Sequence, residues 1–433
     1  MSGRAMWCVM CVMACAGGGG GQPDVGQPEA VEAWTSSFTP GVEKRGQFLV
    51  VRLKGTPYEM GVQHATFLRE QLLEGVQYIE GSELGLLEQV ADQWGFTEEA
   101  MAQSYPAVAD ECRGMADVLA DKGWTFKRCI LLAYGDVILE WVKSGKLSES
   151  ACSQFVVTRG ATADRGMLHG RNLDWDRIEF MVKYPTLLVR HPADRIPYVV
   201  VGFPGCVAPY SGMNAAGLSG ATNEADSRDD IDRVGRSHPQ MLSEVLSTAR
   251  SLAEAKALIA AADHMAATIM VLADGRSDEA AVFEMTANHR SVRELSKDGV
   301  VFATNHFIGE ETAPHGYVSS PTASTYSRFE RLSELLSPAS PLYGTLAPAS
   351  AVGILRDHHN PLTGEDAPPD AFDNYGTIAN NGCIYSIVFA PKQRVMWVAA
   401  GEPPVPLHKY VGFSLDELLG LPGAKAPEPA ELP

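Results

Sequence analysis

The spacing of apolar residues divides the chain into a helical first part and a strand-rich second part. Before residue 150, apolar residues recur every three or four positions, the period of an amphipathic helix, in 60–75, 84–95, 101–119 and 128–143. From residue 152 the pattern changes to short runs of Val, Leu and aromatic residues between turn-forming residues, at 154–159, 167–173, 185–191 and 197–201. We therefore expect a helical segment followed by a meander of antiparallel strands over 152–224.

The remainder of the chain alternates between the two periods. Helical spacing is present at 239–262, where it predicts two helices or one kinked helix, and at 326–336 and 349–358. Short apolar runs predict strands at 268–273, 280–286, 300–305, 384–389 and 395–399. Because most of these strands are joined as hairpins, the pattern favours an α+β fold, with antiparallel sheets and helices on their outer faces, over a parallel βαβ sheet.

Composition excludes several classes of function. The 433 residues are 45% apolar, enough for a large core, and 53 acidic residues against 35 Lys and Arg give a formal charge of −18. Such a charge repels phosphate backbones, so we expect no nucleic-acid partner. After residue 20 no apolar run approaches the roughly 18 residues that a membrane span needs.

The first residues are typical of a targeting segment. One basic residue, Arg4, precedes about ten apolar residues, and a glycine run follows Cys15. Residues 12–15 resemble a bacterial lipobox with Cys15 as the lipidated residue; an ordinary secretory signal and a mis-called start codon are the alternatives. We expect a signal at 1–15, a flexible linker at 16–46, and export to the periplasm, outer membrane or cell surface with a lipid anchor as the only membrane contact.

The end of the chain, the remaining cysteines and the paired histidines give less information about function. The tail at 420–433 is rich in Pro and Ala and is expected to be disordered. Cys112 and Cys129 either form a disulfide in an exported protein or are small buried hydrophobes. Adjacent residues such as His358 and His359 point in different directions from a helix, which favours a charge role at a helix end over zinc binding. We expect neither a metal nor a cofactor.

The stretch at 151–176 carries the candidate chemistry. The chain lacks the Gly-x-Ser-x-Gly, His-Glu-x-x-His, Walker and Gly-x-Gly-x-x-Gly motifs. Instead, Cys152 begins a strand, and the returning strand ends in Gly-Arg-Asn-Leu-Asp, with Arg171 and Asp174. Such charges are costly to bury unless they pair with each other or with a reacting group, so the alternatives are a salt-bridged strand end and a catalytic site.

Three further fragments, at 212–218, 303–307 and 324–331, complete a family pattern. With Cys152 they resemble the choloylglycine hydrolase and penicillin acyltransferase branch of the N-terminal nucleophile hydrolases, and in particular the C45 peptidase or acyl-coenzyme A:6-aminopenicillanic acid acyltransferase family. Fragments in family order extend the resemblance over roughly residues 47–410: 55–61 with Gln63 and His64, 105–116, 385–391 and 396–401.

The resemblance implies a four-layer αββα sandwich and a chain that cuts itself between Ala151 and Cys152. The new α-amine has a pKa near 7.7–8.0, so a fraction is neutral at pH 7 and can take the thiol proton. Residues 47–151 would remain bound as an α chain, and 152–419 would form the β chain of an αβ heterodimer. Ala151 stands where relatives often carry Gly, and Ser153 where Thr is common.

The resemblance also assigns roles. Asp174 would hold the new amine and Arg171 would favour the thiolate by its charge. The side chain of Asn305 and the backbone N–H of Asn214 would donate to the oxyanion, and Arg328 would complete the polar network behind the nucleophile.

Each of these residues also has a structural alternative. Asn214 would then be a turn residue, Asn305 a strand-end cap, Arg328 an ordinary helix charge and Cys152 an inert core cysteine.

The implied substrate is a small-molecule, non-peptide N-acyl amide, which is hydrolysed or whose acyl group is transferred. Five aromatic residues beside the motifs either line an apolar acyl pocket or belong to the core: Trp175, Tyr184, Phe203, Tyr210 and Phe307. The alternative functions are a lipid-ester or phospholipase-B-like hydrolase and a surface lipoprotein of the same fold that only binds.

Overall fold

The computed structural model describes residues 34, 36–142, 151–175, 178–229, 231, 233–318, 320, 323–368, 376–422, 424 and 429–433. Thr35–Pro433 form one compact unit. The expected signal segment and its Cys15 lie outside the described residues. Among the described residues, no helix is both long enough and apolar enough to cross a bilayer.

The strands are β1 (Gly41–Arg45), β2 (Phe48–Gly55), β3 (Ser153–Val157), β4 (Leu168–Asp174), β5 (Thr186–Pro192), β6 (Tyr198–Gly202), β7 (Ser211–Asn214), β8 (Leu218–Glu224), β9 (Thr268–Asp274), β10 (Glu279–Met285), β11 (Arg290–Glu294), β12 (Val300–Ala303), β13 (His359–Asn360), β14 (Glu365–Asp366), β15 (Cys383–Ala390), β16 (Val395–Ala400) and β17 (Val411–Ser414).

The α-helices are α1 (Pro57–Phe67), α2 (Arg69–Glu80), α3 (Glu83–Gln93), α4 (Phe96–Gln103), α5 (Pro106–Leu119), α6 (Phe126–Tyr134), α7 (Val137–Val142), α8 (Glu179–Lys183), α9 (His238–Thr248), α10 (Leu252–Ala261), α11 (Ser324–Leu336), α12 (Pro348–Leu355) and α13 (Leu415–Leu418). The expected helix at 101–119 is two helices, because Pro106 cannot donate a backbone hydrogen bond and begins α5.

Two large sheets form the centre of the molecule. One has nine strands in the order β1-β2-β5-β6-β7-β8-β9-β10-β11, and the other has six in the order β12-β3-β4-β15-β16-β17. Neighbouring strands are antiparallel except β2 and β5, which pair in parallel. The meander expected over 152–224 is therefore divided: β3 and β4 belong to the six-stranded sheet, and β5 to β8 to the nine-stranded sheet.

Three apolar clusters show how the layers stack. The first lies between the nine-stranded sheet and helices of both chain halves, with Leu272 of β9, Leu72 of α2 and Leu242 of α9. The second lies between the sheets and includes Val156 of β3 with Val271 of β9. The third covers the outer face of the six-stranded sheet and contains side chains from β3, α11 and α12. The order helix, sheet, sheet, helix confirms the expected α+β sandwich of four layers.

The structure differs from the sequence-based boundaries at both ends of the fold. Gly41–Arg45, expected to be part of a flexible linker, forms β1, because β2 supplies its hydrogen-bond partners and Arg45 is paired with Glu417. In the tail that was expected to be disordered, Leu432 forms a β-bridge with Tyr410. The Arg45–Glu417 pair joins residues 372 positions apart, which local composition does not reveal.

Cys112 of α5 and Cys129 of α6 form a disulfide with a Cα–Cα distance of 5.5 Å. This decides between the two alternatives for these cysteines. The remaining cysteines of the described residues, Cys152, Cys206 and Cys383, are free and buried.

Candidate active site

Cys152 directly precedes β3, which lies between β12 and β4 in the six-stranded sheet. It is 3% exposed and Ala151 before it is fully buried. The Cys152 thiol lies 3.6 Å from the backbone carbonyl of Asp174, at the end of β4. Residues 143–150, immediately before this pair, are outside the described residues.

The end of β4 is shaped by its two neighbours. A register irregularity between Cys383 and Tyr385 of β15 brings Cys383 opposite Asp174, and bulges of this kind often re-aim side chains next to active sites. On the other side, Gly170 packs against the Phe155 ring so closely that a Cβ would lie 2.4 Å from a ring carbon. The Gly-Arg-Asn-Leu-Asp motif thus packs against β3 at its first residue and lies beside the Cys152 thiol at its last.

Arg171 points between the two sheets and is fully buried. Its Nη2 lies 3.9 Å from the Cys152 sulfur and donates to the Thr222 carbonyl of β8. Its Nη1 donates to the Tyr385 hydroxyl at 3.4 Å. A buried guanidinium at this distance favours the thiolate form of Cys152.

Arg328 and Asn305 stand on the other side of the cysteine. The fully buried guanidinium of Arg328, on α11, donates to the Cys152 carbonyl, to the Ser153 hydroxyl at 3.2 Å and to the Asn305 side-chain oxygen at 2.9 Å. The Asn305 side-chain nitrogen donates to the Glu224 carbonyl at 2.8 Å. The carboxamide is therefore oriented from both ends, with its oxygen on Arg328 and its N–H groups towards β8.

In the uncleaved chain, burial keeps the Cys152 thiol protonated and leaves the Asp174 carboxyl only partly ionised near neutral pH. Burial raises the pKa of the Cys152 thiol to about 11, although Arg171 opposes this change. Burial also raises the pKa of Asp174 to about 7, against the hydrogen bond from Asn380. Among the described residues, Asp174 Oδ1 has no hydrogen-bond partner. A thiol in this state needs a base before it can react.

Because the pKa of Asp174 is raised, we expect the free energy of unfolding of the uncut chain to depend on pH. The pKa of the carboxyl is about 7 in the folded state against an ordinary value of 3.8, so stability falls as pH rises from about 4 to about 7. Asp174→Asn in a Cys152→Ala background is expected to stabilise the chain at pH 8 by up to about 4 kcal/mol, and by much less at pH 5. Urea unfolding at both pH values measures the difference, and an equal effect at both would contradict it.

The structure does not place Asn214, whose backbone N–H was expected to donate to the oxyanion, beside Cys152. Its side-chain oxygen accepts from the backbone N–H groups of Ala216 and Leu218, and its nitrogen donates to the carbonyls of Leu246 and Ala249. Leu218 begins β8, whereas the carbonyl that holds Asn305 ends that strand, about 20 Å away at roughly 3.3 Å per residue. Asn214 is a turn residue that also anchors α9.

A buried polar network between the sheets was not predicted. The His169 ring lies 3.0 Å from the Ser219 hydroxyl and 3.2 Å from the Gln154 side-chain oxygen. Gln154 donates to the Asn223 side chain, which donates to the Thr304 carbonyl at 2.9 Å. Burial lowers the pKa of His169 to about 3, so the ring is neutral. The network fixes the residue before Asn305, and only strand register brings its members together.

Asn380, Cys383 and Tyr385 were also missed as site residues. All three are buried and belong to β15 or the turn before it, near Asp174 or Arg171. The polar Asn-Asn-Gly turn before an apolar strand was the available sequence signal.

An apolar cavity opens at Trp175, beside the site. Helices of the first chain segment form one wall, and the other contains Trp175, which directly follows Asp174, with Phe180, Phe203 and Tyr210. Of the five aromatic residues proposed for an acyl pocket, Trp175, Phe203 and Tyr210 line this cavity. Phe307 instead packs between the sheets, and the Tyr184 ring packs against Phe180.

Comparison with known proteins places this architecture in context. The model of the family described as acyl-coenzyme A:6-aminopenicillanic acid acyl-transferase matches residues 161–404, more than half of the chain. An uncharacterized protein of Archaeoglobus fulgidus is 24% identical over 337 residues, which are 67% of this chain and 55% of that protein. Protein dcd1B of Dictyostelium discoideum is 28% identical over 159 residues, 34% of this chain and 32% of that protein. The chain thus spans about half or less of the length of these relatives.

Three solved structures are similar to part of the chain. A Caenorhabditis elegans ortholog of N-acylethanolamine-hydrolyzing acid amidase has a TM-score of 0.40 and 17% identity, covering 56% of this chain and 93% of that one. A mutant of conjugated bile acid hydrolase from Clostridium perfringens has a TM-score of 0.39 and 13% identity, with 61% and 93% covered. Penicillin V acylase from Agrobacterium tumefaciens has a TM-score of 0.37 and 15% identity, with 57% and 83% covered.

Proposed function

Because this chain belongs to the acyl-coenzyme A:6-aminopenicillanic acid acyl-transferase family, we propose that it is a cysteine-dependent amidohydrolase or acyltransferase that activates itself by cleavage between Ala151 and Cys152. It would then break a non-peptide N-acyl amide through an acyl thioester on Cys152. The observation that carries this proposal is the buried Asp174 Oδ1 without a partner, at the end of the strand whose Arg171 faces the Cys152 thiol.

The first step is the self-cleavage. The Cys152 sulfur attacks the Ala151 carbonyl carbon and loses its proton; the C–N bond breaks, and the Cys152 nitrogen takes a proton and becomes an amine. Water then hydrolyses the thioester, which leaves a carboxylate on Ala151 and a free thiol on Cys152. Ala151 is fully buried, and its side chain is a single methyl group, which hinders this attack little.

Cleavage supplies the base that the buried thiol lacks. An α-amine with a pKa near 7.7–8.0 is partly neutral at pH 7 and can accept the thiol proton. The ammonium that results is a donor for the unpartnered Asp174 Oδ1, and it compensates the cost of burying an ionised carboxylate there. The same carboxylate would hold the amine beside the sulfur.

In turnover, the thiolate attacks the substrate carbonyl, and the side-chain N–H of Asn305 donates to the oxyanion. The leaving amine takes the proton held by the Cys152 ammonium. Water completes hydrolysis of the acyl thioester, or a second amine takes the acyl group, in which case the net reaction is acyl transfer. Arg171 and Arg328 add positive charge around the developing negative charge without changing protonation.

The cavity supports the proposal that the enzyme recognises an apolar acyl group of its substrate. It opens next to Trp175 and is lined mainly by aromatic and aliphatic side chains. The test is a panel of N-acyl amides of increasing chain length, with the matching esters, given to protein whose new N-terminus has been sequenced. We expect chains beginning with Cys152 and hydrolysis of the amides that rises with acyl length. Turnover of the esters alone would favour a lipid esterase, and absence of turnover with cleaved protein would favour a binding protein.

The two fragments are expected to stay together after cleavage. Phe48–Gly55 of the first segment pairs along β5 of the second, and the fully buried Arg190 pairs with Glu111 across the cleavage point. Cleaved protein should give two bands on a denaturing gel and one species in gel filtration.

Glu111→Gln leaves Arg190 without its carboxylate and should destabilise the protein by about 3–5 kcal/mol.

Arg113→Gln is the matched control, because its ion pair with Asp110 is exposed and its loss is expected to cost less than about 1 kcal/mol. Purification of the β fragment alone would refute the proposed heterodimer.

We also propose that the protein is exported, with Cys15 as the lipid anchor. The disulfide between Cys112 and Cys129 supports an oxidising compartment. Cell fractionation with thiol alkylation tests this: cytoplasmic protein with both thiols reactive would contradict it.

A further inference from the structure

Three segments far apart in the sequence bring Asp229, His289 and His315 together, and we propose that these residues bind one divalent transition-metal ion. Asp229 lies in the loop after β8, His289 in the turn between β10 and β11, and His315 at the end of the short 3₁₀ helix Ala313–His315 that follows β12. Within the described part of the chain, this is the group of His, Cys, Asp and Glu side chains that has metal-binding geometry. The sequence predicted no metal because no short ligand motif is present.

The ligand atoms have a suitable spacing. His289 Nδ1 lies 2.9 Å from Asp229 Oδ2, and His315 Nδ1 lies 3.0 Å from Asp229 Oδ1. The two imidazole rings stack with centroids 3.4 Å apart and planes 14° apart, and the ligand atoms all lie within 4.8 Å of one another. Ligands about 2.0–2.2 Å from a zinc ion are themselves about 3–3.5 Å apart. A cation therefore fits with small adjustments when it replaces the Nδ1 protons.

Two hydroxyl groups, of Thr286 and Ser227, hold the three ligands in place through hydrogen bonds. The Thr286 hydroxyl donates to Asp229 Oδ2 and accepts from the His289 backbone N–H at 2.9 Å. The Ser227 hydroxyl accepts from the Asp229 N–H at 3.0 Å and donates to the His315 carbonyl at 3.1 Å. Such supporting hydrogen bonds orient metal ligands and strengthen binding. Their presence here means that little conformational order has to be created when the ion binds.

The chemistry of the donors favours zinc. Neutral imidazole and carboxylate together suit first-row cations, and three protein ligands leave a fourth position for water. The side chains of His289 and His315 are 34% and 33% exposed, so the ion and its water have a path from solvent.

Bound metal would tie three loops together at the end of β8 where the Glu224 carbonyl holds Asn305. The loop that carries Asp229 begins at the next residue. None of the three ligands belongs to the proposed catalytic machinery, so the metal site can be tested independently of the proposed reaction.

The test uses full-length, tag-free protein treated with a chelator and then titrated with zinc alone. Calorimetry and elemental analysis are expected to find one zinc per chain in the wild type, with a thermal midpoint that rises with zinc concentration. Asp229→Asn and His289→Ala are expected to lose this zinc and the thermal shift. Asp229→Asn is nearly isosteric, so circular dichroism should find it folded even where His289→Ala is not.

His359→Ala is the matched control, because His359 pairs with Asp366 at 2.8 Å on the surface and the described residues offer this pair no third ligand. It is expected to keep the wild-type zinc and thermal shift. Wild-type protein that takes up no zinc at micromolar concentration would overturn the proposal and leave a hydrogen-bonded cluster. Zinc retained by folded Asp229→Asn, or lost from His359→Ala to the same extent, would overturn it too.

Discussion

Cys152→Ala is expected to yield an uncut chain without measurable amide hydrolysis. Both reactions begin at the same sulfur, and removal of the nucleophile from enzymes of this kind lowers kcat by roughly 10⁴ to 10⁶. No other thiol in the described residues has the same surroundings, because Arg171 lies 3.9 Å from the Cys152 sulfur and Arg328 donates to the Cys152 carbonyl. Intact mass and N-terminal sequencing measure the cleavage, and acid release from an N-acyl amide measures the turnover.

Cys206→Ala controls for the loss of a buried thiol. The Cys206 thiol is free and buried but contacts the Ala208 carbonyl, so this variant is expected to be cut normally. A Cys152→Ala chain that still divides between residues 151 and 152 would remove the basis of the proposed mechanism.

Local periodicity predicted where helices and strands form better than it predicted which strands pair with each other. The amphipathic spacing at 239–262 correctly predicted helices there, observed as α9 and α10. The parallel pairing of β2 with β5 joins residues more than 130 positions apart, and nothing in either segment specifies the other. The division of the predicted meander between two sheets has the same explanation. The strands of both sheets have similar apolar patterns, so the pattern of a strand does not specify which sheet it joins.

The family was predicted correctly. Arg171, Asp174, Asn305 and Arg328 all lie around Cys152, as the family motifs implied. These residues could be recognised because buried charges and amides at strand ends are rare without a partner or a function.

Asn214 shows where motif reasoning fails. Asn followed by Ala-Ala-Gly is strong turn chemistry, because the Asn side chain accepts from backbone N–H groups two and four residues later. That alternative was available from the sequence and agrees with the side-chain contacts of Asn214. Gln154 and Asn223 were missed for the opposite reason: isolated polar residues within strands have no spacing signal, and their role depends on which strands face each other.

Asn305→Ala is expected to lower kcat by about 10²–10³ with little change in KM, because an oxyanion donor acts on the transition state more than on the bound substrate. Asn305→Asp keeps an oxygen for Arg328 but removes the N–H donors, so it should lose kcat as well. Initial rates on purified, fully cleaved protein measure both parameters, since incomplete cleavage would otherwise lower kcat for another reason.

Asn214→Ala is the matched control of the same residue type. It loses hydrogen bonds to Ala216, Leu218, Leu246 and Ala249, each worth about 1 kcal/mol, and should unfold at clearly lower urea concentration while its kcat per folded molecule stays near the wild-type value. The two asparagines thus separate catalysis from stability. Equal losses of kcat in the two variants would mean that Asn305 supports the fold and that the oxyanion is stabilised by other groups.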